Sequence, residues 1–184
     1  DAVGQKAGSL KIGTSAGDVA EVSITNGWLE VTDDVVIGAH DSADARLTLS
    51  NGRLKANKLS KGAGGEFIFN GGFLAVNEIN FALVNSGGTI TPGSSIGHMD
   101  VGGDLTITAG RLEIELASLL SSDTIAVDGK VILGGQLNVR LLGGLVPKGG
   151  QWEIITATNG FAGSFSRISS GFSTRIDGNR LFLA

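Results

Sequence analysis

Cysteine is absent from the 184 residues, which excludes disulfide staples and thiolate metal sites. Tyrosine is absent as well, and proline, histidine and tryptophan occur twice each. No apolar run approaches the roughly 20 residues a membrane-spanning helix needs. No stretch reads as a signal peptide either, so a mature product or a fragment is expected. Positive charge is scarce where a polyanion would need it. Residues 1–100 carry 7 basic and 11 acidic side chains and the rest carry 7 of each, for a net charge of −4. No basic face is available to release counterions from phosphates, so nucleic acid is not the expected partner. Hydrophobic residues make up 41% of the chain, enough for a continuous core and against disorder.

Glycine is abundant, at 30 residues. With so few prolines and no collagen period, that load points to many short strands joined by tight turns. A small cassette recurs: a glycine, any residue, a large aliphatic, then alternation. It appears as Gly27-Trp28-Leu29-Glu30-Val31, Gly52-Arg53-Leu54-Lys55-Ala56 and Gly72-Phe73-Leu74-Ala75-Val76. Gly88-Thr89-Ile90, Gly110-Arg111-Leu112-Glu113-Ile114 and Gly135-Gln136-Leu137-Asn138-Val139 follow. Gly27, Gly52, Gly72, Gly88, Gly110 and Gly135 are therefore read as structural turn positions, at intervals of 25, 20, 16, 22 and 25 residues. One coil of a β-solenoid has a similar length, about 20–29 residues.

Between the glycines, apolar residues alternate with period two, as in Val22 and Ile24, Leu47 and Leu49, Phe67 and Phe69, Leu105 and Ile107, and Ile125 and Val127. In Leu112-Glu113-Ile114-Glu115-Leu116 the outward set is charged. No stretch carries a 3.6-residue stripe, and Leu116 to Leu120 allows one short helical turn at most. The chain is expected to be all-β. Two architectures fit. Asn26-Gly27 and Asn51-Gly52 are hairpin signals, and a hairpin there would build an antiparallel β-sandwich or meander. The same dipeptides serve as corners in a right-handed parallel β-helix, which the recurrence of one cassette at coil length favours. Asn26, Asn51 and Asn70 then suit a stacked polar ladder at a corner. Residues 1–100 read as solenoid coils. Residues 101–184 read as further coils and a C-terminal β-rich cap, with longer strands and the bulk of Trp152, Phe161, Phe165 and Phe172 covering an open edge.

Gly87-Gly88-Thr89-Ile90-Thr91-Pro92-Gly93-Ser94-Ser95-Ile96-Gly97 resembles the signature of bacterial autotransporter passenger domains, "GG-x-x-x-PG-x-S-x-G". Met99 to Leu105, Gly110 to Leu116, Ser122 to Gly129 and Leu133 to Leu137 look like the passenger-associated β-strand repeat and the region after it. Gly149-Gly150-Gln151-Trp152-Glu153-Ile154-Ile155 and Gly163-Ser164-Phe165 are similar to the same family, so the resemblance runs from about residue 50 to the end. It implies a right-handed parallel β-helix with a C-terminal cap of autochaperone type, exported to the bacterial surface. No translocating barrel follows Leu181-Phe182-Leu183-Ala184. Either the barrel lies outside this sequence or the chain borrows the coil without that route.

Residues able to do chemistry are few. Ser95, His98 and Asp100 could be read as a serine triad, but no nucleophile elbow surrounds the serine. His40 sits in a turn-like stretch. Asp33 and Asp34 are adjacent and point to opposite faces of a strand unless a turn re-aims one. Glu113 and Glu115 share a face about 7 Å apart by strand rise, where a solvated face is the simpler reading than acid–base work. Asp41 with Asp44 could meet calcium, although no EF-hand loop or Gly-Gly-x-Gly-x-Asp nonapeptide surrounds them. Gly62-Ala63-Gly64-Gly65 lacks the lysine and helix of a phosphate loop, so it is a tight turn. Trp28 and Phe73 occupy equivalent places in two cassettes and form the candidate contact pair for a glycan or another partner, with core or corner packing as the plainer reading.

The expected protein is therefore a non-catalytic, extracellular or cell-surface β-solenoid. It would serve as a structural or adhesive element, a stalk or a self-stacking filament subunit that needs no cofactor or metal. Its expected partners are further copies of itself, a host or surface macromolecule, or a polysaccharide. The alternative from another class is a carbohydrate-active β-helix enzyme or glycan-binding module, which a cleft lined by several acids and a base would favour.

Overall fold

A computed structural model of the chain describes residues 4–93, 95–147 and 149–184. The chain is all-β, with strands in one large mixed sheet, a four-stranded sheet and a three-stranded sheet, and no helix among the described residues. The alternation seen in the sequence is what the strands bury. Asp44–Leu49 turns Ala45, Leu47 and Leu49 inward, and Arg111–Ser118 turns Leu112, Ile114 and Leu116 inward, all at 0% exposure.

Among the described residues, pairing is parallel except at three places. Ile24 lies beside Leu49, and Leu29 lies beside Leu54. Neither Asn26-Gly27 nor Asn51-Gly52 closes a hairpin, because each joins a strand of the three-stranded sheet to a strand of the large one. Gly27 takes φ +80°, the left-handed conformation that re-aims the chain at that corner. Of the expected polar ladder, Asn51 donates to Asn26 Oδ1 at 3.3 Å. Asn70 stands two residues ahead of its cassette glycine instead of one and takes no part in that bond. A second amide pair, Asn77 to Asn57 at 3.2 Å, occupies another part of the surface.

The cassettes lie in register. Leu29, Leu54, Leu74, Ile90, Leu112, Leu137 and Ile168 form one column through successive parallel pairings. The five from Leu54 to Leu137 are fully buried. A second column runs Leu10, Val35, Leu59, Ile79, Val101, Val127 and Ala157. Their buried members belong to one core cluster that extends from Ile12 to Leu183, and Leu10, Leu29 and Ile168 pack against it half-buried. Each fully buried aliphatic contributes about 1.5–3 kcal/mol of transfer free energy.

The strand lengths run against the sequence expectation. The longest strands, Trp28–Ile37 and Arg53–Lys61, lie in the first half. Trp28–Ile37 stays long because a register shift between Val31 and Asp34 bends it without ending it, so one strand carries residues of both columns. The second half ends differently. Thr174–Asp177 and Arg180–Leu183 form a hairpin laid antiparallel on Trp152–Ala157. Beside it, the Trp152 indole donates to the Ser118 carbonyl at 2.8 Å and meets the Phe172 ring edge-on at 6.5 Å.

Close stacking makes small residues obligatory at chosen points. A methyl added at Gly71 would overlap the Ser50 carbonyl oxygen, whereas one at Gly17 would meet nothing within 4 Å. Gly71→Ala should therefore cost about 3 kcal/mol or more through forced backbone displacement. Gly17→Ala, which suffers only from its φ of +75°, should cost about 1 kcal/mol. Chemical denaturation of the two variants should show that order, and equal losses would contradict the stacking account.

Candidate functional site

The outward partners of the buried column form a row of their own. Trp28, Arg53, Phe73, Thr89, Arg111, Gln136 and Arg167 are neighbours in register. Adjacent members of such a row are about 4.8 Å apart. Trp28 and Phe73, 37% and 42% exposed, thus share one face with Arg53 between them. The Arg53 guanidinium lies over the Phe73 ring, 5.4 Å from its centroid, and the Trp28 indole lies across Gly4, so each ring has one covered face.

Two residues further along each strand, a second outward row carries charge: Lys6, Glu30, Lys55 and Ala75. Glu30 sits between the two lysines, at 2.9 Å from Lys6 and 3.2 Å from Lys55. Hydrogen bonds from Lys6 and then Lys55 hold its carboxyl below the usual carboxylate range. Ala75 is the low point of the row, because it has no side chain beyond Cβ.

Next to Ala75 the ladder opens. Thr89–Ile90 is only two residues long and the next strand is His98–Val101, with a loop whose Thr91, Pro92, Gly93 and Ser95 rim the opening between them. On the far side of this opening stand Glu113 and Glu115, with Arg140 bonded to Glu115 at 2.8 Å. The result is a cavity of about 220 Å³ lined by Arg53, Lys55, Ala75, the loop, Glu113, Glu115, Asp123 and Arg140. It adjoins two shallower hollows. One, of about 430 Å³, lies over Ala56, Asn57 and Asn77, and the other, of about 620 Å³, lies beside Trp28 and Lys6. Lys55 lines all three, so together they make one groove across several neighbouring strands.

Asp123, which periodicity does not single out, secures the loop. Its carboxylate accepts the Gly97 N–H at 2.7 Å and the Glu115 N–H at 2.8 Å. Its own N–H donates to the Glu115 carbonyl at 2.9 Å, and the Thr124 N–H donates to the Gly97 carbonyl at 3.1 Å. At 2% exposure, burial pushes this carboxyl up to about 6. The two backbone donors pull against that rise, and Glu115 and Glu113 add to it. A second polar clasp is Asn85, which stands three residues before its glycine, where other cassettes place Ile24, Leu49, Phe69 and Ile107. Fully buried, it accepts from the Gly87 and Gly88 N–H groups and donates to the Gly88 and Arg111 carbonyls.

The other residues singled out from the sequence are scattered. His98 and Asp100 do meet, Nε2 to Oδ1 at 3.0 Å, but Nδ1 of the same ring bonds Thr124 Oγ1 at 2.7 Å. Both ring nitrogens are thus engaged, and Ser95 is not joined to the pair. Ser95 lines the groove instead, with φ +60°, the only positive φ outside glycine among the described residues. His40 bonds locally to Ser42. Asp33 and Asp34 fall at the register shift, where Asp33 is exposed and its N–H donates to the Gly8 carbonyl. Among the described residues, no group of three or more His, Asp or Glu side chains could hold a metal, so Asp41 and Asp44 stand without a third ligand. Gly62-Ala63-Gly64-Gly65 closes as a turn, with the Gly65 N–H donating to the Gly62 carbonyl at 3.1 Å.

Fold and groove define an all-β chain with a charged, aromatic-edged hollow on its largest sheet. No family model matches the chain, and no curated protein matches it.

Asp123 gives a test with a definite sign. Its folded-state value of about 6 lies above its ordinary value of 3.8, so between those pH values the folded chain binds more protons than the unfolded one. Its contribution to stability is therefore greatest near pH 4 and declines as pH rises to about 6. Asp123→Asn should remove that decline, seen as the difference between wild-type and variant stability curves. At pH 7 it should also cost about 1–3 kcal/mol, because the amide NH₂ would face a backbone N–H. An unchanged pH dependence would show that the carboxyl does not titrate there.

Proposed function

We propose that the chain is a right-handed parallel β-helix with a C-terminal cap, of the kind found in bacterial autotransporter passengers. In this reading it is an exported, non-catalytic scaffold that presents one outer face for adhesion. The observation that carries this is the register. The same cassette position returns as a neighbour through the column from Leu29 to Ile168, with parallel pairing throughout. Such stacking gives a stiff core from repeated aliphatics and leaves the outward rows free to vary. The antiparallel hairpin at Arg180–Leu183 supports the cap reading, since a change of direction ends the run of parallel neighbours.

A surface role follows from that division of labour. The buried columns carry the stability, and the exposed row of Trp28, Arg53 and Phe73 offers aromatic and cationic groups for contact. The partner is a surface macromolecule or another copy of the chain. The second reading, a carbohydrate-active enzyme, is favoured by one observation: the cavity gathers Glu113, Glu115 and Asp123 with Arg53, Lys55 and Arg140. Against it, Glu115 is committed to Arg140, and Asp123 to two backbone N–H groups.

Inert beads coated with the chain should be retained under flow on polysaccharide- or protein-coated surfaces, and the chain should release no reducing ends from the polysaccharides. Beads that wash through like uncoated ones, or measurable release of reducing ends, would overturn the scaffold reading.

A further inference from the structure

We infer that the groove from Trp28 to Glu113 is a binding site for an extended, uncharged oligosaccharide lying across the strands. The inference rests on the adhesive reading above and names the class of ligand that its face would take. Shape comes first. The groove crosses the strands in the direction in which they repeat, about 4.8 Å per strand, a spacing close to what one sugar unit adds to an extended chain. Its floor is low because Ala75 carries only a methyl group between Lys55 and the opening, and Thr91, Pro92, Gly93 and Ser95 stand beside it as a wall.

Chemistry selects the sugar. Trp28 at one end is 37% exposed and lines the hollow of about 620 Å³; one face of its indole rests on Gly4, and an indole face turned to the hollow suits the C–H face of a pyranose. Along the floor stand ion-paired groups: Lys6 and Lys55 on Glu30, and Arg140 on Glu115. Paired charges of this kind hold donors and acceptors side by side, the arrangement that vicinal hydroxyls satisfy. The amides of Asn57 and Asn77 add the same mixture. Cations and carboxylates alternate along the groove, so there is no single-sign field to hold a polyanion. A sulfated or uronic-acid chain would have to displace Glu30, Glu113 and Glu115. A neutral one displaces only water.

Titration calorimetry with cellohexaose, xylohexaose, mannohexaose and chitohexaose tests the site, with heparin as the charged comparison. At least one neutral hexasaccharide should bind, and more tightly than its disaccharide. Trp28→Ala and Ala75→Gln should each weaken it by roughly tenfold. Val84→Ala, an exposed position on another sheet, should leave affinity unchanged. Glu113→Gln is the substitute should Ala75→Gln not fold by circular dichroism, and it too should weaken binding. The proposal is overturned if none of the four hexasaccharides binds, if heparin alone binds in a salt-sensitive way, or if Trp28→Ala and the groove variant keep wild-type affinity. Beads that adhere to protein-coated surfaces while no hexasaccharide binds would remove this inference and leave the scaffold reading standing.

Discussion

Parallel backbone pairing between equivalent cassette positions is the constraint on which everything else depends. Once Leu29 is held beside Leu54, and Leu54 beside Leu74, the side chains before and after them must fall into rows as well. Strand residues alternate between faces, so a column of aliphatics inside dictates a column of something else outside. A slip of one residue would expose Leu54, Leu74 and Leu112 together and bury Arg53 and Arg111. The hydrophobic column therefore sets the register, and the register places Trp28, Arg53 and Phe73 side by side.

The ladder is broken at one stretch, and the breaks are repaired with buried polar groups. Where Thr89–Ile90 ends after two residues, the backbone of Gly97 and Glu115 would be left without strand partners. The Asp123 carboxylate takes both N–H groups. Asn85 plays a like part between the Gly88 and Arg111 backbones. A buried backbone group without a partner costs about as much as a lost hydrogen bond, and a carboxylate or amide with two sites offsets two such losses at once. A loop can stand out from the sheet here, and so a hollow can exist, because these clasps hold its edges.

Much of this order is legible in the sequence, for physical reasons that also mark its limits. Period-two alternation and recurring glycines identify strands, corners and the inward set, because each follows from local backbone geometry. The strands Leu105–Ile107, Arg111–Ser118 and Thr124–Val127 appear where the alternation places them. The shared outward face of Trp28 and Phe73 follows from the same offset. What local pattern does not encode is pairing at a distance. Asn26-Gly27 has the chemistry of a hairpin, and only the presence of Leu49 beside Ile24 decides otherwise. Strand length escapes the local pattern where a register shift lets Trp28–Ile37 bend and continue, which alternation alone registers as a break. Asn85 does leave a signal, a polar residue at a position where the other cassettes carry Ile24, Leu49, Phe69 and Ile107. Asp123 leaves none, since its partners come from a loop and a strand that sequence spacing does not bring together.

The separation between rows explains how a contact surface is compatible with so regular a core. Changes at outward positions such as exposed Arg53 or half-buried Gln136 alter neither the buried columns nor the backbone pairing, and surface substitutions of this kind usually shift stability by less than about 0.5 kcal/mol. Changes at Leu54 or Leu137, their immediate neighbours in sequence, fall on fully buried positions and would cost about 2–5 kcal/mol on truncation to alanine. Tolerance and intolerance thus alternate residue by residue along one strand. Any chemistry displayed on the outer rows is held at strand spacing by the inner ones, and recognition can be rewritten there without renegotiating the fold.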